Sequence, residues 1–594
     1  MKLFSNTTEL LRSQEQKTLE SPDSWFNSFY REVVSKIDES IYAALYSERK
    51  GRPNAPVRIL LSMIILKEGF GWTDIELDEN VRFNLLVRRA LGLNNLDDSV
   101  PAPSTYYDFK RKLLEYKQRS GVDLLERTFQ QITVLYLKEL QISGKKVRMD
   151  TKLISTNVAR GTRLQMLVEA VKKYLNTLSE KELKLLSKAF EQQYGKLWEQ
   201  LINKKKSSDN ITYRLSSKQK EEMLLEVGRL IRDVLKQRQG DSGKYYELLR
   251  QMYEEHYEEV EPTDKTRIEK QDDSEAGPNP NTATQVESEK EQPEEGDVVP
   301  KESESIPTDS IQSIHDPEAC FRRKGHGHRA QHVVGGHTLI GETCKESNPI
   351  NLILSVITKS ANVSENDMLE EALEACSNIL NEAGVEEMEE FVTDGGFDSK
   401  EIRKEMLRRK DEIRWNFTNT KGEERVFIMK CTDIDGLKDL EVFDKKTGQK
   451  LEVRKSKSGK GYTIVYPCGK KAYKTVEQVK NYLILQELES RINKESLKLR
   501  SNVESTIHHC FHRLKKGSKI LYRGLDKCHW YALARALWVN FSRVRAFKGG
   551  EGFVFSFFRP IVLLIFYMHL VFLRLAKTKN KFTLFGGNSL LREI

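Results

Sequence analysis

The sequence predicts a mixed α/β fold, in which an all-α domain precedes a core built from strands and helices. Apolar residues recur at helical spacing through much of residues 1–140, a pattern typical of amphipathic helices. Later in the chain, short apolar runs lead up to Asp150 and to Asp394, and such runs are typical of buried strands. With 594 residues, the chain is long enough for about three or four domains.

Changes in composition mark the boundaries of the predicted domains. Residues 261–310 include 15 acidic residues, 5 basic residues and no aromatic residue. Such a segment buries too little apolar surface to offset its ordering entropy, so it is predicted to be disordered. The predicted order is a helical domain (1–140), a first core strand (141–163), a helical insertion (164–255), an acidic linker (256–312), the main part of the core (313–412), a β-rich insertion (413–474), a helical end of the core (475–545) and a hydrophobic tail (546–594).

The sequence predicts the order of strands and helices in the main part of the core. Residues 331–343 and 350–359 are rich in β-branched residues and are predicted to pair as antiparallel strands. An amphipathic helix is expected at 366–380, a strand at 390–394 and a helix at 400–410. Together with the strand before Asp150, the order is strand, two strands, helix, strand, helix.

The charge of the chain is uneven. The net charge is +9, and outside residues 261–310 it is +19, which favours a polyanionic partner. A basic protein with no nucleic-acid role fits the charge equally well. The seven cysteines form no C-x-x-C pair, so reduced thiols in a cytoplasm are expected.

The hydrophobic tail contains one strongly apolar stretch, residues 553–573. Arg559 and Pro560 interrupt it and leave residues 561–573, which is shorter than the roughly 20 residues of a spanning helix. A buried helix or an aberrant tail is therefore expected, with a membrane segment as the alternative.

Three carboxylates are candidates for metal-dependent chemistry. Asp150 and Asp394 follow apolar runs that are predicted to end at these residues, and Glu504 lies in a predicted helix. Carboxylates that converge from separate elements can hold divalent ions that cleave phosphodiesters, and oxygen ligands suit Mg²⁺. The plainer alternatives are a capping residue at Asp150 and a turn at Asp394, which Gly-Gly follows.

Several motifs strengthen the first interpretation. They are DPEA and RRKG within residues 316–325, TDGGFDS at 393–399, RSNVE at 500–504 and YRGL at 522–525. Together they resemble motifs of prokaryotic insertion-sequence transposases of the DDE type, and residues 18–120 are similar to the N-terminal domain of the InsH type. The resemblance implies a ribonuclease-H-like catalytic core and an N-terminal domain that binds DNA.

The resemblance also implies an activity and its partners. The protein would bind the terminal inverted repeats of its element, cleave DNA with Mg²⁺ (or Mn²⁺) and join the ends to target DNA. Pairing of two ends implies a homodimer or larger assembly, and no obligate protein partner is evident. The expected location is the cytoplasm of a prokaryote, in association with the nucleoid.

Carried over residue by residue, the resemblance assigns catalysis and metal binding to Asp150, Asp394 and Glu504. Arg500 lies four residues before the glutamate, as in the family, and is expected to contact a DNA phosphate. Two related positions differ, because this chain has Leu497 and Phe511 where the family signature places tyrosine and lysine. Further DNA contacts are predicted from clustered basic residues: Lys110, Arg111, Lys112, Arg322, Arg323 and Lys324.

Two other functions stay open at this point. A ribonuclease-H-like nuclease without strand transfer would share the three carboxylates. A catalytically decayed DNA-binding protein is the other alternative, because the tail after about Arg545 resembles nothing in the family.

Overall fold

A computed structural model describes most of the chain. The described residues are 13–46, 55–158, 161–259, 298–325, 327, 330–418, 426–512, 514 and 519–549. Most of the predicted acidic linker (260–297) and most of the predicted tail (550–594) lie outside them. The described part is a mixture of helices and sheets, as the sequence predicts.

The N-terminal part of the chain is helical. Its helices are α1 (Ser13–Glu20), α2 (Trp25–Glu32), α3 (Val57–Phe70), α4 (Asp74–Phe83), α5 (Leu85–Ala90), α6 (Pro103–Ser120) and α7 (Leu124–Leu140), with 3₁₀ turns at Val34–Lys36 and Glu39–Leu45. Helix α6 begins at Pro103, where a missing N–H costs nothing. It ends at Gly121, whose φ of 74° is left-handed and is favourable only for glycine-like residues.

Strand β1 (Lys146–Ser155) follows, and after it comes a helical segment with its own apolar core. The elements of that segment are α8 (Arg163–Leu175), α9 (Glu180–Ile202), α10 (Ser208–Thr212), α11 (Ser217–Gln237), α12 (Lys244–His256), β2 (Tyr257–Glu259) and β3 (Val298–Pro300). Strands β2 and β3 pair antiparallel. Val298 and Ile311 are buried in this core, although the sequence assigns both to the linker, because their apolar side chains pack against the helices.

The main sheet has β1 near its centre. Its other strands are β4 (Cys320–Lys324), β5 (Gln331–Thr343), β6 (Ile353–Ser360), β7 (Glu390–Thr393) and β8 (Arg414–Phe417). The order is β4-β5-β1-β7-β8, and β6 also pairs with β5. Strands β5 and β6 are antiparallel, which confirms the predicted pair. Strands β1, β7 and β8 are mutually parallel.

Six helices accompany the sheets in this part of the chain. They are α13 (Asn366–Ala383), α14 (Lys400–Arg408), α15 (Val476–Ser490), α16 (Lys494–Lys498), α17 (Ser501–Phe511) and α18 (Leu525–Lys548). Helix α13 packs against β5 and β6. Helix α17 packs against β1, and α18 packs against β6, α3 and α7. The N-terminal helices therefore share one continuous apolar core with the sheet and α18.

A second, smaller sheet lies between α14 and α15 in the chain. Its strands are β9 (Phe427–Lys430), β10 (Glu441–Asp444), β11 (Lys450–Lys455), β12 (Gly461–Val465) and β13 (Lys471–Thr475), and they pair in sequential order. They pack against α15. Of the helices in the described part of the chain, none is long and apolar enough to cross a membrane.

Candidate active site

Asp150 and Asp394 lie side by side on neighbouring parallel strands. Arg148 of β1 is paired with Val392 of β7, so two residues further along both strands bring the aspartates to the same level. Adjacent strands lie roughly 4.8 Å apart. The prediction that the first strand ends at Asp150 is wrong: β1 continues to Ser155 because β5 still pairs with it on the other side.

The surroundings of Asp150 favour a bound cation. Its Oδ1 accepts a hydrogen bond from the backbone N–H of Thr151 at 2.7 Å. Burial raises the pKa of Asp150 to about 6, the negative charge of Asp394 adds to the effect, and the positive charges of Arg500 and Lys324 oppose it. Burial and a like charge both disfavour the ionised form of a carboxyl group. A positive charge beside the group stabilises that ionised form.

Asp394 ends β7 and begins a tight turn. Its Oδ1 accepts a hydrogen bond from the N–H of Gly396 at 2.9 Å, and a 3₁₀ turn at Gly395–Phe397 follows. A Cβ atom at Gly396 would overlap Oε2 of Glu365 and lie 2.9 Å from Oδ1 of Asp394. A side chain at this position would therefore displace the carboxylates of Glu365 and Asp394. Asp398 does not cap α14: Ser399 does so, and Asp398 pairs with Arg403.

Arg500 connects Asp394 with Glu504. One guanidinium nitrogen lies 3.7 Å from Oδ2 of Asp394 and 3.6 Å from Oε1 of Glu504. Arg500 and Glu504 are four residues apart at the start of α17, so they share a helical face. The side chain of Glu504 is 65% exposed. Asp150 and Asp394 thus lie beside each other just beyond the last pairing of β1 with β7, and Arg500 joins Asp394 to Glu504.

A buried ion network under this end of the sheet positions α17. Glu342 of β5 has no exposed side-chain surface, and it pairs with Arg148 of β1 at 2.7 Å and with Arg543 of α18 at 2.8 Å. The hydroxyl of Thr506, two residues after Glu504, donates to Oε1 of Glu342 at 2.8 Å. Arg148 also donates to the carbonyl of Leu499. The network joins β1, β5, α17 and α18 around a single carboxylate.

Sequence reasoning missed a fourth carboxylate, Glu365. The hydroxyl of Thr151 donates to its Oε1 at 2.9 Å, and Nε2 of His337 lies 3.6 Å from the same atom. Burial alone would raise the pKa of Glu365, but hydrogen bonds from His337 and Thr151 and the charge of Lys324 outweigh burial and lower it to about 2. Glu365 directly precedes α13, whose first turns carry further acidic residues, and nothing in that local sequence distinguishes it.

The donor chemistry of the site fits a divalent cation at the two aspartates. Both supply carboxylate oxygens, which Mg²⁺ and Mn²⁺ accept, and the raised pKa of Asp150 is an effect that a nearby positive charge would oppose. Glu504 pairs with Arg500 instead. Among the residues that the structure describes, no group of three or more histidine, cysteine or acidic side chains is arranged to hold a metal ion. Glu504 would therefore have to turn from Arg500 to complete a site.

The basic residues predicted on α6 have partners within the protein. Lys110 is only 19% exposed and lies over the rings of Tyr106 and Tyr107. Burial lowers its pKa to about 8. Arg111 and Lys112 both pair with Asp108 on the same helix.

The basic residues of β4 differ from one another. Arg322 donates to the backbone carbonyls of Ala361 and Val363, so it fastens β4 to the loop before α13. Arg323 and Lys324 are exposed. The charge of Lys324 acts on both Asp150 and Glu365, which places it at the rim of the site.

Comparison with known proteins gives one match. Residues 17–112 match a family model described as a transposase domain (DUF772). This range runs from α1 into α6 and does not include the carboxylates. No curated protein and no solved structure matches the chain. The N-terminal helices therefore support a transposase.

Proposed function

We propose that the protein is a DNA transposase of the DDE type. Asp150, Asp394 and Glu504 would be the catalytic residues, and the N-terminal helices would bind the terminal inverted repeats. The observation that carries the proposal is that Asp150 and Asp394 lie beside each other, and that Arg500 joins Asp394 to Glu504, in a chain with a transposase domain.

The topology supports a ribonuclease-H-like core. The order is a strand, an antiparallel pair, a helix, a parallel strand, a helix and another parallel strand. This order of elements is the feature that resembles a ribonuclease-H-like core. The helical segment after β1 and the small sheet after β8 are then insertions into that core.

The chemistry follows from the residues of the site. Asp150, Asp394 and Glu504 would hold Mg²⁺ or Mn²⁺, and the ion would supply activation of a water or a 3′-hydroxyl and stabilisation of the charge on the phosphate. Arg500 would bind a non-bridging phosphate oxygen, for which its planar guanidinium is well suited. Lys324 and Arg323, exposed at the rim, would contact neighbouring phosphates. Such contacts position DNA without reading its sequence.

The proposed partners are double-stranded DNA and a second copy of this chain. Cleavage and joining of two element ends require that both ends be held together, so a homodimer or a larger assembly is expected. Association with the nucleoid of a prokaryotic cell would follow from DNA binding.

A cleavage and strand-transfer assay tests the proposal. It uses the full chain, Mg²⁺, a duplex that carries the element's own end, and the variants Asp150→Asn and Asp394→Asn. Asp411→Asn is the control, because Asp411 is a highly exposed aspartate after α14. We expect end-specific nicking and joining with wild type and the control, and neither reaction with the two site variants, which should still bind the duplex.

Each alternative has a distinct outcome in this assay. Nicking without joining would indicate a nuclease that lacks strand transfer. Binding without cleavage by wild type would indicate a decayed copy. Cleavage that survives Asp394→Asn would exclude this set of carboxylates.

A further inference from the structure

A cavity of about 360 Å³ lies between the N-terminal helices and the start of α18, apart from the carboxylates. It is lined by α3, α4 and α6 on one side and by residues 522–531 on the other. Its volume is near the lower end for small-molecule sites. The lining residues that carry the argument are Tyr106, Tyr107, Lys110, Arg111, Lys527 and Tyr531.

Five of the twelve residues that line the cavity are aromatic. Tyr106, Trp530 and Tyr531 are buried, whereas Tyr107 is about half exposed and so lies at the opening. Ile64 and Leu114 add aliphatic surface. Flat aromatic walls bind other flat rings by stacking, and nucleic-acid bases are bound in this way with little dependence on sequence.

A hydroxyl group that lines the cavity lacks a hydrogen-bond partner. Tyr531 is 6% exposed, and within the described part of the chain its hydroxyl has no hydrogen-bond partner. A buried hydroxyl without a partner is destabilising. A ligand with a ring nitrogen or an exocyclic oxygen would satisfy it.

The charges at the opening favour an anion. Lys110, Arg111 and Lys527 line the cavity together with the acids Glu68 and Asp74. Glu68 is buried, and burial raises its pKa, so it contributes less negative charge than an exposed carboxylate. Lys527 and Arg111 are exposed. Because Arg111 pairs with Asp108 and with Glu115, Lys527 is the main contact for a phosphate at the opening. A planar base attached to a phosphate combines both requirements.

We infer that this cavity binds a single nucleotide, with the base against the exposed ring of Tyr107 and the phosphate at Lys527. The nucleotide would be either one unstacked from DNA or a free mononucleotide. This site goes beyond the proposed function. The inference rests on the proposed function only for the case in which the bound nucleotide is part of DNA. The cavity joins residues of the matched transposase domain to α18, which packs against the main sheet.

Two binding measurements on the full chain test the inference. The first is calorimetric titration with deoxyadenosine monophosphate. The second follows the fluorescence of a DNA duplex that carries 2-aminopurine at its end. The variants are Tyr107→Ala, which removes the exposed ring, and Tyr531→Phe, which removes only the buried hydroxyl. The control is Tyr213→Ala, an exposed tyrosine of the helical segment.

We expect Tyr107→Ala to weaken nucleotide binding by about tenfold, as loss of one stacked ring does. Tyr531→Phe should weaken it by about threefold, and Tyr213→Ala should have no effect. A loss of the 2-aminopurine signal change in Tyr107→Ala would assign the site to DNA. An effect on the mononucleotide alone would assign it to a free nucleotide.

The inference is overturned if neither cavity variant alters either measurement. Its failure is distinguishable from failure of the proposed function, because Asp150→Asn should leave nucleotide binding unchanged. Circular dichroism of each variant would show that the fold is kept, and Tyr531→Phe changes no packed volume.

Discussion

Replacement of Glu342 by glutamine tests whether the buried ion network positions α17. The substitution keeps the shape of the side chain but removes its charge. It also places an amide N–H₂ against the guanidinium groups of Arg148 and Arg543, which lie 2.7 and 2.8 Å from the carboxylate. Burial alone would raise the pKa of Glu342, but the charges of Arg543 and Arg148 outweigh it and lower the pKa. The carboxylate is thus the charged partner of two cations.

The expected cost is large because Glu342 is fully buried. Removal of one partner of a buried ion pair destabilises a protein by about 3–5 kcal/mol. We expect amide hydrogens of α17 to exchange at least about 100-fold faster in Glu342→Gln, because 1.4 kcal/mol corresponds to a factor of about ten. Cleavage should fall by about 100-fold, as it does when a catalytic group is displaced by about 1 Å.

The matched control is Glu452→Gln on β11, where Glu452 pairs with Arg454 in solvent. An exposed pair contributes less than about 1 kcal/mol, so exchange in α17 should be unchanged. The double variant Glu342→Gln with Arg543→Met should recover part of the stability, since one unpaired cation is removed. If the amide hydrogens of α17 exchange at the same rate in Glu342→Gln as in the control, the network does not position α17.

Two further predictions concern the aspartates. The pKa of Asp150 is about 6 in the folded protein and about 3.9 in the unfolded chain, so Asp150 contributes stability at low pH that is lost as the pH rises through 6. Asp150→Asn should therefore raise the free energy of unfolding at pH 8 by up to about 3 kcal/mol. An equal effect at pH 4, measured by chemical denaturation, would contradict this prediction. Gly396→Ala should lower the cleavage rate by about 100-fold with DNA binding kept, because the new Cβ overlaps the Glu365 carboxylate. The control is Gly243→Ala, whose Cβ would lie near only the flexible Asp241 side chain. A loss of cleavage below twofold in Gly396→Ala would disprove the steric argument.

Part of the site was predictable because strand pattern and helical spacing are local signals. The apolar runs before Asp150 and Asp394 indicated strands, and β1 and β7 are strands. The spacing of Arg500 and Glu504 indicated a shared helical face, and both side chains contact each other. Neither signal revealed that β1 would continue past Asp150, because that depends on pairing with β5, which is distant in sequence.

The parts that sequence reasoning missed depend on long-range contacts. Glu365 acts at the site through Thr151 and through the space left by Gly396, and neither residue is near it in sequence. Glu342 resembles any other glutamate in a strand until β1, α17 and α18 surround it. Likewise, α18 completes the core of the N-terminal helices, although residues 1–140 were interpreted as a domain of their own.

The position of Arg500 predicts that DNA and metal bind cooperatively. Its guanidinium lies within 4 Å of both Asp394 and Glu504, so its charge opposes that of a cation bound by the same carboxylates. A DNA phosphate that draws Arg500 away would release both carboxylates. Because linkage is reciprocal, DNA should then raise the affinity for a divalent ion, and the ion should raise the affinity for DNA.

Titration of the full chain with Mn²⁺, with and without duplex DNA, measures this coupling. We expect DNA to tighten Mn²⁺ binding at least about fivefold, the lower end of typical couplings. Arg500→Gln should bind Mn²⁺ more tightly than wild type without DNA, because the competing charge is gone, and DNA should add little more. Arg454→Gln, an exposed arginine of the second sheet, is the control. Weaker Mn²⁺ binding by Arg500→Gln would show that the guanidinium supports the carboxylates rather than competing for them.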